Sequence, residues 1–281
     1  MVKIKVSSFG VVPLSLNVGQ WKNSTNKAFK SDSQRLAFSL RSSIAKRRSH
    51  LNAALCVSME IGETMRVFAE YYLDDGLQFR RNTLLQFGTS WDLIGNIVLA
   101  NPGSAEPISE VNNTSLCSIE AFYGKYRSGE QFVHSNWQEF SLDPTMVFIE
   151  KLFKGEYVGE SQNLNGVIQL FNTFNIKNQN LDEAVQQIRT DSKLIFSFGI
   201  EKYFHDCPTY FGFSNAVLNN PKLRIVAEQI FENSSEKVKK TYDSKFSNNK
   251  FYHPMYINKA YKQAHFKKFR DSMLVPFAKN A

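Results

Sequence analysis

The chain has 281 residues, 42% hydrophobic and 21% charged, a composition typical of a globular protein that can bury a core. No apolar run approaches the roughly 20 residues needed to span a bilayer, and residues 1–6 lack the apolar block of a signal peptide. We therefore expect a cytoplasmic protein without a membrane partner. The three cysteines are separated and form no Cys-x-x-Cys pair, so we expect reduced thiols, no metal and no cofactor.

Residues 1–80 are predicted to form an N-terminal α+β extension or small subdomain. A short alternating strand is expected at residues 3–6, and a helix near 32–48, with Ser31 or Asp32 as its N-cap. Residues 65–72 favour one strand of a hairpin that turns at Asp74-Asp75-Gly76, because Asp-Gly is a common hairpin turn.

From residue 81 to 281 strands alternate with helices, which predicts an α/β domain. Its expected architecture is a three-layer α/β/α sandwich around a central, mainly parallel sheet, with a loop-like insertion near 106–142. The predicted strands cover 95–100, 166–171 and 193–198, and the predicted helices cover 144–153, 181–190 and 221–231. Ligands of such sheets bind beyond the carboxyl ends of the strands, so the residues after each strand are candidate site residues.

The first strand end is Asn101-Pro102-Gly103-Ser104. Pro followed by Gly fits the centre of a type II turn, which would present the Asn101 side chain and the backbone N–H groups of Gly103 and Ser104. That arrangement could hold a phosphate or a water molecule. A plain strand-terminating turn is the alternative.

The next two candidates are Asn172 and His253. Asn172 directly follows an apolar strand, and its amide offers the donors and acceptor needed to read the edge of a base; a turn-capping Asn is the alternative. Pro254 favours an extended conformation for His253 at a strand end. A neutral imidazole there could donate to an oxygen that gains negative charge, unless it is a plain surface histidine.

Together these motifs resemble the uracil-DNA glycosylase superfamily, over about residues 80–260. In that superfamily one strand ends in Gln-Asp-Pro or Asn-Pro-Gly, a later apolar strand ends in Asn, and a late loop carries His-Pro or Asn-Pro. A closer similarity is to a bacterial family with Asn-Pro-Ser/Gly-x-Ala, Asp-Pro-Thr and His-Pro-Leu-Tyr motifs. This chain has Asn-Pro-Gly-Ser-Ala at 101–105, Asp-Pro-Thr at 143–145 and His-Pro-Met-Tyr at 253–256.

The resemblance implies a base-flipping protein that hydrolyses an N-glycosidic bond. Asn101 and His253 would be the catalytic residues, positioning water and stabilising the departing base. Asn101 replaces the water-activating Asp of the most active relatives, and an amide cannot accept a proton as a base. The implied substrate contacts are Pro102, Gly103, Ser104, Asn172 and Tyr256, with Met255 or Tyr256 as a candidate DNA wedge and Phe122 or Tyr123 as a stacking partner.

The basic residues suggest a DNA or RNA partner, because the net charge is +8 and aromatic residues lie among the cations. Two solvated faces are the plain alternative. A non-catalytic nucleic-acid or nucleotide binder, or a protein-interaction or defence module that uses residues 1–80, would also fit the sequence. The cations concentrate in two segments, 22–48 and 237–270.

Overall fold

A computed structural model describes residues 65–188, 194–257 and 267–278, with side chains only from residue 273 in the last segment. These residues belong to one compact unit, Glu63–Ala281. The predicted strand at 3–6, the helix at 32–48 and the basic segment at 22–48 lie outside the described residues. No helix among the described residues is long and apolar enough to cross a membrane.

A seven-stranded mixed sheet organises the described residues, in the order β4-β5-β1-β2-β6-β3-β7. The α/β class is therefore confirmed. The prediction of a mainly parallel sheet is wrong, because only the pairings of β3 with β6 and β7 are parallel and the other four are antiparallel. The strands are β1 Arg66–Asp74, β2 Leu77–Phe87, β3 Leu93–Leu99, β4 Pro107–Glu110, β5 Trp137–Phe140, β6 Gly166–Asn172 and β7 Thr209–Phe211.

The predicted hairpin at the start of the sheet is confirmed. β1 and β2 are joined through Asp75 and Gly76, whose φ angles of 46° and 73° are the left-handed pair that a type I′ turn requires. The sheet thus begins at Arg66, upstream of the predicted domain boundary at residue 80, because the hairpin pairs directly with β5 and β6.

A β-bulge interrupts the hairpin in the middle of β2. The register runs from Phe68 paired with Leu84 to Glu70 paired with Arg81, so two residues of β2 oppose one of β1. Asn82 has φ 52°, as expected for a bulge residue in the left-handed region. Beyond the bulge Arg80 pairs with Tyr71, whose ring packs in the same apolar cluster as Leu85.

Helices pack on both faces of the sheet. Ile168 and Leu170 of β6 point to one face, where α2 and α6 pack, and Val167 and Phe171 point to the other, where α1 and α5 pack. This alternation follows from the two-residue period of a strand. The helices are α1 Asn113–Tyr126, α2 Pro144–Lys154, α3 Leu181–Gln186, α4 Ser214–Asn219, α5 Pro221–Glu232 and α6 Lys267–Ala278.

Helices α2 and α5 begin where the sequence predicts. Asp143 caps α2 by accepting the N–H of Met146 at 3.0 Å, and Pro144 occupies the first turn, where its missing N–H costs nothing. Asn220 caps α5 in the same way, ahead of Pro221.

Three predicted elements differ from the structure. Residues 194–198 form turns and a single bridge from Phe196 to Phe174 instead of a strand; the third parallel strand is β7, which has only three residues. The insertion at 106–142 holds β4, α1 and β5 instead of a loop. His253 does not follow a strand: residues 249–252 have no regular secondary structure, and a single 3-10 turn, Pro254–Tyr256, begins directly after His253.

Candidate functional site

One cavity of about 570 Å³ opens at the carboxyl ends of β3 and β6, where open α/β sheets bind ligands. Its size falls in the range of about 300–1,000 Å³ that is usual for small-molecule sites. The residues after β3, the end of β6, the start of α2 and residues 251–256 contribute to its wall. The predicted site residues Asn101, Gly103, Asn172, His253 and Tyr256 all line it.

Asn101 is held in one orientation by its own loop. Its Nδ2 donates to the backbone oxygens of Pro102 at 2.9 Å and Asn178 at 3.0 Å. These two acceptors fix which end of the amide carries the NH₂ group. The Oδ1 atom accepts no hydrogen bond from the described residues, so the side chain offers the cavity a fixed acceptor.

The loop itself is not the type II turn that the sequence suggests, because Gly103 lacks the positive φ that the turn requires. Instead, the glycine allows the loop to approach Asp143 closely. A Cβ atom on Gly103 would lie 3.1 Å from the Oδ2 atom of Asp143, so the absence of a side chain lets the loop pack against the start of α2.

Asn172 is the least satisfied polar residue of the site. It is 1% exposed, and neither its Nδ2 nor its Oδ1 atom has a hydrogen-bond partner. Alternation along β6 puts its side chain on the same face as Leu170, which also lines the cavity. An unpaired buried polar group costs about 1–3 kcal/mol, so the amide is complementary to a ligand with both a donor and an acceptor.

His253 presents a defined tautomer. The backbone N–H of Met255 donates to its Nδ1 atom at 3.3 Å, so a neutral ring carries its proton on Nε2. Burial lowers the pKa of His253 below 6.5, and Asp143 opposes that shift only in part. The residue therefore offers the site a neutral N–H donor near pH 7.

Arg80 and Asp143 form a buried pair in the cavity wall that no sequence pattern predicts. The Nη2 atom of Arg80 lies 3.9 Å from the Oδ2 atom of Asp143, and both side chains are almost fully buried. The Nε and Nη1 atoms of Arg80 have no partner. Burial lowers the pKa of Arg80 to about 10, which leaves the guanidinium charged at neutral pH.

Ser214 is a further polar residue of the cavity wall. It begins α4 with φ 66°, a strained value for a residue other than Gly. Its Oγ atom is buried without a partner, and the residue lines the cavity. Strained residues concentrate at functional sites, but no sequence pattern marks them.

Several predicted contacts lie elsewhere. Pro102 and Ser104 are not among the lining residues. Phe122 and Tyr123 are buried with Val167 on the opposite face of the sheet, so the prediction that they stack on a base is wrong. Met255 and Tyr256 are each 48% exposed at the cavity wall.

Most aromatic residues within the described part of the basic segment at 237–270 are buried or half-buried, and Tyr256 is the one described exception. Phe246 and Phe251 are buried against Phe213 and Phe231. Tyr261 lies outside the described residues. In the described part of this segment the exposed cations are Lys237, Lys240, Lys245 and Lys250, whereas Lys239 is buried. Few aromatic rings are therefore exposed among these cations.

Among the described residues, no three His, Cys, Asp or Glu side chains form a group that could hold a metal ion. Comparisons of the chain with protein-family models, with curated proteins and with solved structures return no match.

Proposed function

We propose that this protein binds a nucleobase in the cavity at the ends of β3 and β6 and hydrolyses its N-glycosidic bond, as the resemblance to uracil-DNA glycosylases implies. The observation that carries the proposal is the meeting of Asn101, Asn172 and His253, three distant stretches of chain, at one cavity. The finer fold, a three-layer sandwich like that of the uracil-DNA glycosylases, is part of the same proposal and agrees with helices on both faces of the sheet.

Asn172 would read the base. Its unpaired amide matches a ring edge on which an N–H lies beside a carbonyl oxygen, because Oδ1 can accept from the first while Nδ2 donates to the second. Leu99 and Leu170 offer apolar surface in the same wall. A flipped base would bind there with its polar edge satisfied and its faces against apolar groups.

Asn101 and His253 would act on either side of the scissile bond. Asn101 Oδ1 would hold a water molecule by accepting a hydrogen bond from it, and the water oxygen would add to the sugar carbon. The C–N bond breaks with its electron pair on the base. His253 Nε2–H would donate to a carbonyl oxygen of the departing ring, and the proton released by the water neutralises the ring.

The direct test is single-turnover incubation of the protein with duplex and single-stranded DNA that contains uracil, or thymine mismatched with guanine. We expect slow formation of abasic sites, and a loss of product of at least about tenfold for Asn172→Ala and His253→Ala. Asn96→Ala controls for lost stability, because it removes a buried, hydrogen-bonded amide of β3 outside the cavity. It should lower the free energy of unfolding but keep the product yield of the folded protein. The absence of abasic product on every substrate would overturn the proposal.

A second candidate function, non-catalytic binding of a nucleic acid on the same scaffold, is favoured by one observation. Asn101 stands where a base would be needed, and its amide cannot take a proton. This alternative predicts binding that weakens steeply with salt, lost in Asn172→Leu, without any abasic product. Salt-insensitive binding would contradict it.

A further inference from the structure

The cavity wall contains an incompletely compensated positive charge. Among the described lining residues Arg80 is the only Lys or Arg side chain. It is 1% exposed, and two of its three nitrogens have no hydrogen-bond partner. A buried cation in this state is stabilised by any anion that enters the cavity.

Asp143 compensates Arg80 only in part. At 3.9 Å the contact between the two is at the outer limit of an ion pair. The other carboxylate oxygen of Asp143 already accepts the N–H of Met146 at the start of α2, where the helix dipole also draws on its negative charge. Glu106 is the other acidic group close enough to act on Arg80, and it is paired with Lys177 at 2.7 Å.

No other described group in the wall is a cation near neutral pH. Burial holds His253 in its neutral form, and Asn101, Asn172 and Ser214 are uncharged. The face of Phe140 lies 5.4 Å from the Arg80 guanidinium, which positions the charge against the sheet without neutralising it.

We propose that Arg80 is the counter-charge for an anionic ring, so that the cavity binds a nucleobase preferentially as its anion. This inference rests on the proposed function and deepens it. In glycosidic cleavage the leaving base carries the electron pair of the broken bond, and Arg80 would stabilise that charge by preorganised electrostatics. Asn172 would then read the ring and Arg80 would favour its leaving state.

The test compares two free rings of the same class, 5-nitrouracil, which is anionic at neutral pH, and thymine, which is neutral. Isothermal titration gives both dissociation constants for the full chain, and the absorption band of 5-nitrouracil reports its ionisation when bound. The ratio of the two affinities cancels effects that both rings share. We expect the bound ring to be the anion.

Three variants separate charge from structure. Arg80→Gln, which keeps a donor for Asp143, should lower the affinity ratio for anion over neutral ring by about tenfold or more. Asp143→Asn, which keeps the helix cap, should raise the ratio. Arg81→Gln removes the neighbouring charge on the opposite face, where it pairs with Glu70, and should leave the ratio unchanged.

The two proposals fail in different ways. Binding of both rings with the same ratio in the natural chain, Arg80→Gln and Asp143→Asn would overturn the role of Arg80 and leave the nucleobase site standing. Binding of neither ring to the natural chain would overturn both. If Arg80→Gln does not fold, Asp143→Asn still tests the proposal. An unchanged or lowered ratio of the affinities for the anionic and the neutral ring in Asp143→Asn would contradict it.

Discussion

Replacing Asn172 with Leu should stabilise the empty protein while abolishing ligand binding. The Asn172 amide has two buried groups without partners, and each costs about 1–3 kcal/mol relative to a satisfied one. Leu is similar in size and adds apolar burial beside Leu170, while its imperfect fit to the shape of the site costs about 1 kcal/mol. From the lower end to the middle of these ranges, the expected net gain is about 1–3 kcal/mol in the free energy of unfolding, or about 2–12 °C in Tm for a chain of this size.

Asn96 supplies the matched control for that experiment. It is also fully buried, one strand away in β3, but its Nδ2 donates to Phe204 O and Thr209 Oγ1, and its Oδ1 accepts from Gln169. Asn96→Leu breaks these bonds and leaves partners unpaired, so we expect it to destabilise the protein by about 3–5 kcal/mol.

Thermal and urea unfolding, followed by circular dichroism, would measure both variants. Binding of free thymine or uracil, measured by titration, reports the loss of function. A decrease of 1 kcal/mol or more in the free energy of unfolding of Asn172→Leu would refute the reasoning, because it would mean that the Asn172 amide has hydrogen-bond partners in the native protein.

Three further predictions concern the same site. Gly103→Ala presses a Cβ atom against Asp143 Oδ2 at 3.1 Å and should weaken base binding severalfold, as measured by titration. Its control is Gly124→Ala on the open face of α1, which should only stabilise the helix and raise the free energy of unfolding by about 0.5–1 kcal/mol. Burial lowers the folded-state pKa of His253 below its usual 6.5, so the unfolded chain takes up a proton on His253 at a higher pH than the folded chain does. The free energy of unfolding should therefore fall as the pH drops from 6.5 to the lowered pKa. Urea unfolding of His253→Gln at a series of pH values should lack this part of the pH dependence. Asn101→Asp should not create a faster enzyme, because its carboxylate would face the two backbone oxygens that Nδ2 now contacts at 2.9 and 3.0 Å; we expect a loss of about 1–3 kcal/mol in stability and no gain in abasic product, and a rate increase would contradict this.

Local signals in the sequence predict much of the fold correctly. The Asp-Gly turn after β1 and the Asp-Pro and Asn-Pro starts of α2 and α5 depend on φ preferences and caps, which a few neighbouring residues decide. The strand expected at 193–198 is wrong because a short apolar run does not distinguish a strand from a buried loop. β7 has three residues, which is too short for any pattern, and exists because β3 offers it hydrogen bonds.

The site, like the fold, is predicted from the sequence only in part. Position at a strand end selects Asn101 and Asn172, which line one cavity because the carboxyl ends of the neighbouring parallel strands β3 and β6 share an edge. His253 lines the same cavity, although it does not follow a strand. Arg80 could not be selected, since it stands beside Arg81 in an ordinary hairpin strand. Asp143 stands out in the sequence only as part of the Asp-Pro-Thr motif at 143–145, and nothing in the sequence brings Arg80 and Asp143 together.

Because of the bulge at Asn82, the face to which a β2 side chain points depends on the number of residues in β2 as well as on their types. By shifting the alternation, it sends Arg80 toward the cavity and Arg81 toward Glu70 on the reverse side. Deleting this one asparagine would exchange the two arginines between the faces while leaving both in the chain. A relative that lacks the extra residue would therefore need an arginine at the adjacent position to keep a cation in the cavity, and an alignment by residue type alone would overlook the equivalence.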